Sequence, residues 1–375
     1  MNTKNNDKFF MQQAIGLALK AKGNTSPNPV VGAVIVKNGK VVSSGYHRRC
    51  GGDHAEVIAL KKANGEDIKG ATLYVTLEPC NHWGNTPPCV DSVIESGISE
   101  VVIAIKDPNP LTNGRSINKL RSAKLKVRVG VLAEEAAAIN EAFIKHVKFG
   151  MPFVVAKCAQ TLDGKIAAAS GHSKWITSSK TRDYTHKLRD EFDAILVGSN
   201  TVLKDDPGLN GSKKSKKIKK IVLDSGLKIS KNASLFKGVD LNDCIIATTK
   251  RASPDKLKQF VSNGVDVIVC PDVKGRVDMK WLFKELAKRK ILSILIEGGA
   301  KVIGSALKAD LVDKMQIIIA PKIIGDDKAL SSIVGMNVLN VNKAIELEKV
   351  NIKKINKEIM VEGYVLRNCR RNRSS

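Results

Sequence analysis

The sequence has few aromatic residues and no apolar run long enough to cross a membrane. Aromatic side chains make up 4% of the 375 residues, which leaves little material for the stacking platforms that bind single-stranded nucleic acids. A transmembrane helix needs about 20 consecutive apolar residues, and the chain offers no such run. Residues 1–10 are polar and lack the apolar core of a secretory signal, so we do not expect secretion. These features predict a protein with no membrane partner.

Cysteine is also scarce, and the number of cysteines is odd. Seven cysteines in 375 residues do not make the dense, even set of a disulfide scaffold. Cys158, Cys244 and Cys270 lie in or beside apolar stretches, where we interpret them as small buried hydrophobic residues. A reducing compartment suits this pattern, so the predicted location is cytoplasmic. Cys80 and Cys89 remain as candidates for metal binding.

Acidic residues are outnumbered, at 37 against 62 Lys and Arg, and the formal net charge is +25. A basic chain first suggests a nucleic-acid partner. Much of the excess is local, however, in the lysine run 213–220 and in the arginines of the tail 367–373. We interpret the run as a solvated loop and the tail as frayed, and we predict no nucleic-acid partner. A basic surface also suits a small substrate that carries a phosphate.

Strand and helix patterns alternate along most of the chain, which indicates α/β layers. The length suggests two domains at a typical size of about 150 residues. Gly150-Met151-Pro152 ends a helix predicted over 133–149, so we place domains at 1–150 and 151–375. In the second half we predict a closing antiparallel hairpin, 348–355 with 359–366, strands near 153–159, 194–198, 221–224, 244–248, 266–269, 292–296 and 315–319, and helices near 179–190, 254–262 and 280–288.

The most informative pattern combines a histidine, a glutamate and two cysteines. His54 and Glu56 stand at the start of a predicted helix, and eight residues separate Cys80 from Cys89. A neutral imidazole and two thiolates can hold one zinc ion and leave its fourth position for a water, whose pKa the metal lowers. Glu56 is placed to move protons to and from that water. Zinc deaminases use this arrangement with two residues between the cysteines. The wider spacing in this chain therefore reduces the range of substrates that we expect for it. The competing interpretations are a structural zinc pair and coincidence.

The second half offers weaker signals. A predicted strand over 294–296 runs into Glu297-Gly298-Gly299-Ala300, and Gly304-Ser305 follows. A Gly-rich turn before a helix lets backbone N–H groups approach a phosphate, although these residues alone favour a plain structural turn. The spacing differs from the dinucleotide fingerprint, so we predict no Rossmann fold. Trp175, taken by itself, is predicted to lie in the core.

Residues 1–150 resemble the pyrimidine deaminase domain of the bifunctional deaminase-reductase family of riboflavin biosynthesis. The matching segments are Thr25 to Gly32, His54 to Val57, Leu77 to Cys89 and Asp107 to Pro110. The resemblance implies a cytidine-deaminase-like three-layer α/β/α fold and deamination of 2,5-diamino-6-ribosylamino-4(3H)-pyrimidinone 5′-phosphate. It also implies Glu56 as the catalytic residue and Zn²⁺ as the metal, with the ligands His54, Cys80 and Cys89.

Residues 151–375 resemble the reductase domain of the same family, through segments 157–167, 171–178, 197–209 and 294–305. The resemblance implies a dihydrofolate-reductase-like α/β fold and NADPH reduction of 5-amino-6-(5-phosphoribosylamino)uracil to the ribityl product, with Lys157 near the reacting carbon. At the cofactor it implies Ala159, Trp175, Thr201, Asp205, Ser225, Gly299, Ala300, Lys301, Val302, Ile303, Gly304 and Ser305. At the substrate it implies Ser173, Arg189, Leu209 and Glu297. Related enzymes are oligomeric, so we expect a homo-oligomer.

Two positions depart from the usual pattern of the family, and both concern the substrate phosphate. Asn85 stands where the family commonly has Arg or Lys, and Ser212 stands where it usually has Arg. The candidates to replace these cations are Arg48, Arg49 or Lys106 in the first half and Lys213 or Lys214 in the second. Two alternatives stay open: an active deaminase with an impaired or altered reductase, and, against the cysteine spacing, a nucleic-acid base deaminase.

Overall fold

The chain divides into two units between Gly150 and Met151. The computed structural model describes residues 3–64, 67–83, 87–110, 112–213 and 215–366. Asn85, Lys214 and the arginines of the tail, which the sequence singles out, lie outside the described residues. Within these ranges, no helix has both the length and the apolar character that crossing a membrane requires.

A five-stranded sheet with helices on both faces forms the first unit. Its elements are α1 (Thr3–Leu19), β1 (Gly32–Lys37), β2 (Lys40–Tyr46), α2 (Ala55–Lys62), β3 (Thr72–Leu77), α3 (Cys89–Glu95), β4 (Glu100–Ile105), α4 (Arg115–Ser122), β5 (Lys126–Val129), α5 (Ala133–Ala138) and α6 (Glu141–Phe149). The strand order is β2-β1-β3-β4-β5. β1 pairs antiparallel with β2 and β3, whereas β3, β4 and β5 run parallel.

Alternating side chains of the central strands pack into two cores, one on each face of this sheet. Ile35 and Val75 point to the face covered by α2, α3 and α4. Val34 and Tyr74 point to the opposite face, which α1 and α5 cover. Because both faces are covered, β1 is buried at every position except its last. This is the predicted three-layer α/β/α arrangement.

The single helix predicted over 133–149 is wrong, because the chain forms two helices, α5 and α6, with a break at Asn140. The Asn140 side chain is 3% exposed. It accepts a hydrogen bond from Val30 N at 2.8 Å and donates one to Val30 O at 2.9 Å. Asn140 thus satisfies the backbone of Val30, just before β1, and the helical periodicity carried no information about that distant partner.

A nine-stranded sheet forms the second unit. Its elements are β6 (Phe153–Thr161), β7 (Lys165–Ala167), α7 (Ser179–Arg189), β8 (Ala194–Gly198), α8 (Ser199–Asp205), β9 (Lys219–Leu223), β10 (Cys244–Thr248), α9 (Pro254–Ser262), β11 (Asp266–Val269), β12 (Asp272–Val273), β13 (Arg276–Val277), α10 (Met279–Lys288), β14 (Ser293–Ile296), α11 (Ala300–Lys308), β15 (Lys314–Ala320), β16 (Leu330–Ser331), β17 (Leu347–Ile355) and β18 (Glu358–Val365).

The large sheet has the strand order β11-β10-β9-β8-β14-β6-β15-β18-β17. The strands from β11 to β15 in this order run parallel, and β18 and β17 close the sheet as an antiparallel hairpin. The predicted closing hairpin is therefore confirmed. The parallel strands bring the carboxyl ends of β6, β8, β9 and β14 to one edge, where ligands bind in open α/β sheets.

Part of the lysine run is buried, so its interpretation as a solvated loop is wrong at its end. Lys220 belongs to β9 and is 3% exposed. Its Nζ donates to Gly208 O at 2.6 Å, to Asn210 Oδ1 at 2.8 Å and to Leu235 O at 3.0 Å. An ammonium has three donors, and all three are used here. This set of partners is what makes a buried lysine tolerable.

Candidate active sites

Three candidate zinc ligands converge in the first unit. His54 caps the start of α2, Cys80 follows β3, and Cys89 begins α3. His54 Nδ1 lies 3.0 Å from Cys89 Sγ and 3.5 Å from Cys80 Sγ, and the three ligand atoms lie within 4.8 Å of one another. With Zn–N and Zn–S distances of about 2.0 and 2.3 Å, such atoms lie about 3.5–3.8 Å apart in a tetrahedral site, which differs from the separations here by about 0.5 Å or less for the two pairs given. The residues present therefore fit a zinc ion.

Hydrogen bonding prepares Cys80 as a thiolate. The Cys89 backbone N–H, at the start of α3, donates to Cys80 Sγ at 3.3 Å. Hydrogen bonds from Cys89 and His54 hold the pKa of the Cys80 thiol well below its ordinary value, against the opposing effect of burial. A metal that binds both sulfurs requires both as thiolates, so its binding would release any proton left between them.

Glu56 lies in the first turn of α2 and is 3% exposed. Burial raises the pKa of its carboxyl to about 7, while the nearby His54 opposes that rise. The helix thus presents an enclosed carboxyl group beside the candidate ligands. Such a group can both accept and release a proton near neutral pH.

His47 and Asn28 also border this site, although neither is among the site residues predicted from the sequence, and Asn28 lies in the matching segment Thr25 to Gly32. The His47 ring is 2% exposed and lies 5.3 Å from the His54 ring, measured between centroids. Its Nδ1 is 3.0 Å from Asp53 O, and its Nε2 is 3.2 Å from Asn28 Nδ2. A carbonyl partner on one nitrogen and an amide donor on the other select the neutral ring. Burial also lowers the pKa of His47.

A buried carboxylate supports the loop that carries Cys80. Glu78 accepts hydrogen bonds from the backbone N–H groups of Asp107 at 3.2 Å, Gly114 at 3.0 Å and Ile117 at 3.3 Å. The carboxylate therefore ties the end of β3 to the segment after β4. The three candidates for the first substrate phosphate, Arg48, Arg49 and Lys106, are exposed, and the choice among them stays a prediction.

A cavity of about 700 Å³ opens at the carboxyl edge of the large sheet. Its volume is typical of sites for small molecules and cofactors. Most residues that the resemblance implies for the second unit line it: Lys157, Ala159, Ser173, Thr201, Asp205, Ser225, Glu297, Gly299, Ala300, Lys301, Val302, Ile303 and Ser305.

The turn from Gly298 to Ala300 joins β14 to α11 and forms part of the cavity wall. Gly298 has φ 137° and Gly299 has φ 80°, conformations that favour glycine. A Cβ on Gly299 would lie 3.2 Å from the Val302 side chain. The turn therefore brings bare backbone and the N-terminus of α11 to the cavity, an arrangement that suits a phosphate group.

Four of the implied residues lie off the cavity wall. Trp175 is 60% exposed, with the Arg182 guanidinium carbon 4.0 Å from its ring centroid, so its prediction as a core residue is wrong. Leu209 is 3% exposed and belongs to the hydrophobic core beside β8 and β9. A Cβ on Gly304 would overlap the carbonyl oxygen of Val334, so glycine there allows α11 to pack against that segment.

The fourth residue, Arg189, lies behind the wall and contacts it through Glu297. Its Nε and Nη2 donate to the two Glu297 carboxylate oxygens at 2.6 and 2.8 Å. Glu297 follows β14, and Lys157 lies on the neighbouring strand β6. Burial lowers the pKa of Lys157, and the Glu297 carboxylate opposes that shift. This end of the cavity therefore holds a lysine beside a paired carboxylate.

Comparisons with known proteins identify both units. Residues 4–105 match the cytidine and deoxycytidylate deaminase zinc-binding region, and residues 152–361 match the RibD C-terminal domain. The riboflavin biosynthesis protein RibD of Aquifex aeolicus is 42% identical over 95% of this chain and 97% of its own length. The chain belongs to the RibD family.

Solved RibD structures agree with this assignment. Acinetobacter baumannii RibD has a TM-score of 0.86 and 32% identity, over 97% of this chain and 100% of that one. The diaminohydroxyphosphoribosylaminopyrimidine deaminase/5-amino-6-(5-phosphoribosylamino)uracil reductase of Thermotoga maritima has a TM-score of 0.84 and 36% identity, over the same shares. The predicted fold classes are confirmed.

As a RibD protein, this chain is a bifunctional enzyme of riboflavin biosynthesis, a deaminase and a reductase. The predicted cofactors, Zn²⁺ and NADPH, are those of its two domains. The Gly-rich turn and the cavity fit a dinucleotide on the grounds given above. The cavity wall also contains residues that the sequence patterns missed, because distant short strands supply them: Arg276, Val277, Leu330 and Ser331.

Proposed function

We propose that His54, Cys80 and Cys89 hold the zinc and that Glu56 is the proton-transferring residue of the deaminase. The observation that carries the proposal is the convergence of three ligand atoms within 4.8 Å beside an enclosed carboxyl group. Zinc, when bound, supplies a water activated at neutral pH. Hydrolytic loss of an exocyclic amine requires a proton on the ring nitrogen and another on the leaving amine. Glu56 transfers both from its position in the first turn of α2, taking one from the attacking water and the other from the hydroxyl that this water leaves on the ring carbon.

The proposal predicts that Glu56→Gln will lose most deaminase activity and keep its zinc. We expect ammonia release from the diaminopyrimidine substrate to fall about 100- to 10,000-fold, the usual range for losing a general acid or base. Zinc content measured on the same sample should be unchanged. Glu95→Gln, which changes an exposed glutamate of α3, is the matched control and should retain activity. Full activity of Glu56→Gln would exclude the proton-transfer role.

For the second unit, we propose that the cavity binds NADPH along the turn after β14 and the substrate at the Lys157 end. The nicotinamide, when bound, supplies a hydride to C1 of the ring-opened ribosylamine. Lys157 places a positive charge next to the reacting carbon, and the Arg189–Glu297 pair fixes the carboxylate that borders it. We propose Ser173 and Glu297 as direct substrate contacts. Arg189 and Leu209 belong to the same site but lie off the wall, and Arg189 acts on it through Glu297.

Oxidation of NADPH with the deaminated intermediate tests this role directly. The Ser212 hydroxyl donates to Asp190, and Lys213 N also donates to Asp190, at 3.4 Å. This segment is therefore ordered without the Arg that the family usually has, and the exposed Lys213 is the described candidate for the phosphate. Ammonia release without NADPH oxidation would instead favour the alternative of an impaired reductase.

We further propose a homo-oligomer that acts on small phosphorylated pyrimidines in the cytoplasm and has no nucleic-acid partner. β17 is the last strand of the large sheet, and Val350 and Ile352 on it are 51% and 67% exposed. The outer edge of this strand offers backbone groups for pairing with a second copy, and Val350 and Ile352 supply apolar surface between its lysines. Light scattering on the purified protein should give a mass above one chain. Binding to single-stranded DNA at low salt would contradict the proposal on partners.

A further inference from the structure

Arg276 lines the cofactor cavity, and the family resemblance assigns it no role. It lies on the short strand β13, is exposed, and contributes to the cavity wall. Across the described ranges, no hydrogen bond or ion pair involves its guanidinium. Arg189, by contrast, is paired with a carboxylate. The charge of Arg276 is therefore available to a ligand.

The hairpin that carries Arg276 is fastened to Ser225. The backbone N–H of Val277 donates to Ser225 Oγ at 3.2 Å. Thr249 Oγ1 donates to Ser225 O at 2.9 Å and lies 3.4 Å from Asp272 Oδ2, at the base of the same hairpin. These bonds hold Arg276 beside Ser225, at the end of the cavity that follows β9.

This end lies far from the Lys157 end. Lys157 is on β6 and Ser225 follows β9, and the strand order β9-β8-β14-β6 places three strand spacings between them. At about 4.8 Å per spacing, the separation is about 14 Å. The Gly-rich turn follows β14, between the two ends. The Lys157 end, the Gly-rich turn and the Ser225 end therefore follow one another in the same order as the nicotinamide, pyrophosphate and adenosine portions of an extended dinucleotide.

The other lysines of the wall belong elsewhere along the cavity. Lys301 is part of the helix start next to the Gly-rich turn. Lys204 Nζ lies 3.9 Å from the position of a Cβ on Gly171, on the side of Ser173. Among the wall residues that the structure describes, Arg276 is thus the cation at the Ser225 end.

Carboxylates do not compete for this position. The acidic residues of the described wall are Asp205 and Glu297. Asp224, next to Ser225, is 1% exposed and accepts hydrogen bonds from Lys228 N at 2.6 Å and Ile229 N at 2.8 Å. Carboxylates that select NADH do so by binding the 2′-hydroxyl of its ribose. The wall residues described at this end include no such carboxylate, and Arg276 lies there instead.

We propose that Arg276 binds the 2′-phosphate of NADPH and makes the reductase select NADPH over NADH. The inference rests on the proposed role of the cavity as the NADPH site. A guanidinium binds phosphate through two parallel N–H donors, which gives geometric specificity as well as charge. NADH lacks this phosphate, so it gains nothing from Arg276.

Nucleotide binding measured without turnover tests the proposal. Quenching of protein fluorescence should give the Kd of NADPH and NADH for the wild-type chain, for Arg276→Gln and for Lys274→Gln. We expect Arg276→Gln to weaken NADPH binding about 10- to 100-fold, the effect of losing a charged hydrogen-bond partner. The Kd of NADH should stay the same. Lys274→Gln removes an equal charge from the same hairpin outside the cavity wall, and it should leave both Kd values unchanged.

Calorimetry with 2′,5′-ADP, which lacks the nicotinamide, provides the second measurement. Its binding should weaken in Arg276→Gln to the same degree as that of NADPH, and binding of 5′-ADP should not. Equal weakening of NADPH and NADH by Arg276→Gln, or equal effects of the two variants, would overturn the proposal. A wild-type chain that binds neither NADPH nor NADH would overturn the proposed reductase site itself.

Discussion

The zinc site and the cofactor cavity are assembled in different ways. The candidate zinc ligands come from residues 54 to 89, at the start of two helices and the end of one strand. The cavity wall draws on residues from 157 to 334, including three strands of only two or three residues each. The first site is therefore a local arrangement of reactive side chains, and the second is a shape made by many segments.

This difference determines how each site should respond to mutation. A metal site depends on each ligand separately, so the loss of one donor atom removes most of its function. A cavity divides its binding among many weak contacts, so a single change should have a graded effect. The predictions below test that contrast, from the largest expected effect to the smallest.

Cys89→Ser should abolish the deaminase and spare the reductase. Serine keeps the size of the side chain but loses the thiolate that zinc requires. We expect zinc content to fall and ammonia release to drop by more than about 100-fold. Loss of a residue that only hydrogen-bonds to a metal ligand usually costs about 10- to 100-fold, and loss of the ligand itself should cost more. NADPH oxidation with the deaminated intermediate should be unchanged, because all described residues of the cavity wall belong to the second unit.

Cys50→Ser is the control for this experiment, because Cys50 is an exposed free cysteine of the same unit. It should retain zinc and activity. If Cys89→Ser kept its zinc and its activity, Cys89 would not be a ligand, and the contrast between a local and a distributed site would fail.

The sequence was sufficient to predict that His54, Cys80 and Cys89 cluster, because this chemistry lies in residue types and short spacings. Glu56 follows His54 within one helical turn, and Cys80 and Cys89 flank one loop. The α/β layering was also predictable, since it follows from the alternation of strand and helix patterns along the chain. The break at Asn140 was not, because it depends on a hydrogen bond to Val30, 110 residues away.

The cavity was predictable only through family resemblance, and polar long-range contacts explain why. Arg276 reaches the wall through a hairpin that packs on Ser225, a contact with no trace in local periodicity. The charge pattern was misleading at Lys220, because a run of lysines resembles a solvated loop whether or not its last member enters a strand. Trp175 was misplaced for a related reason: its partner, Arg182, lies on a helix whose position the sequence does not specify.

Lys220→Met should destabilise the second unit more than any surface change in the lysine run. Methionine preserves the volume but leaves Gly208 O, Asn210 Oδ1 and Leu235 O without their donor. We expect a loss of about 3 kcal/mol in the free energy of unfolding, since each buried unsatisfied group costs about 1–3 kcal/mol. Urea denaturation of the full chain measures this loss.

Lys217→Met is the matched control, because the Lys217 side chain is 77% exposed and its contact with Asp240 is 3.8 Å long. It should change stability by less than about 0.5 kcal/mol. Equal stability of the two variants would show that the bonds of Lys220 contribute nothing, and the lysine run would then be a solvated element throughout.

Gly304→Ala should give the graded effect expected of a distributed site. A Cβ there would press on the backbone of Val334, whose segment lines the cavity. We expect a loss of about 1–3 kcal/mol in stability, the usual cost of overpacking, and a moderate rise in the Kd of NADPH, with zinc content and ammonia release unchanged.

Gly16→Ala in α1 is the counterpart, because nothing lies within 4 Å of its Cβ position. That change should instead stabilise the chain by about 0.5–1 kcal/mol, since alanine orders a helix at lower entropic cost than glycine. Opposite signs for the two substitutions in calorimetry would show that the close approach at Gly304, rather than glycine content, supports the cavity wall. A gain in stability at both positions would mean that the Val334 segment moves aside without cost. The close contact at Gly304 would then contribute nothing to the shape of the cavity wall.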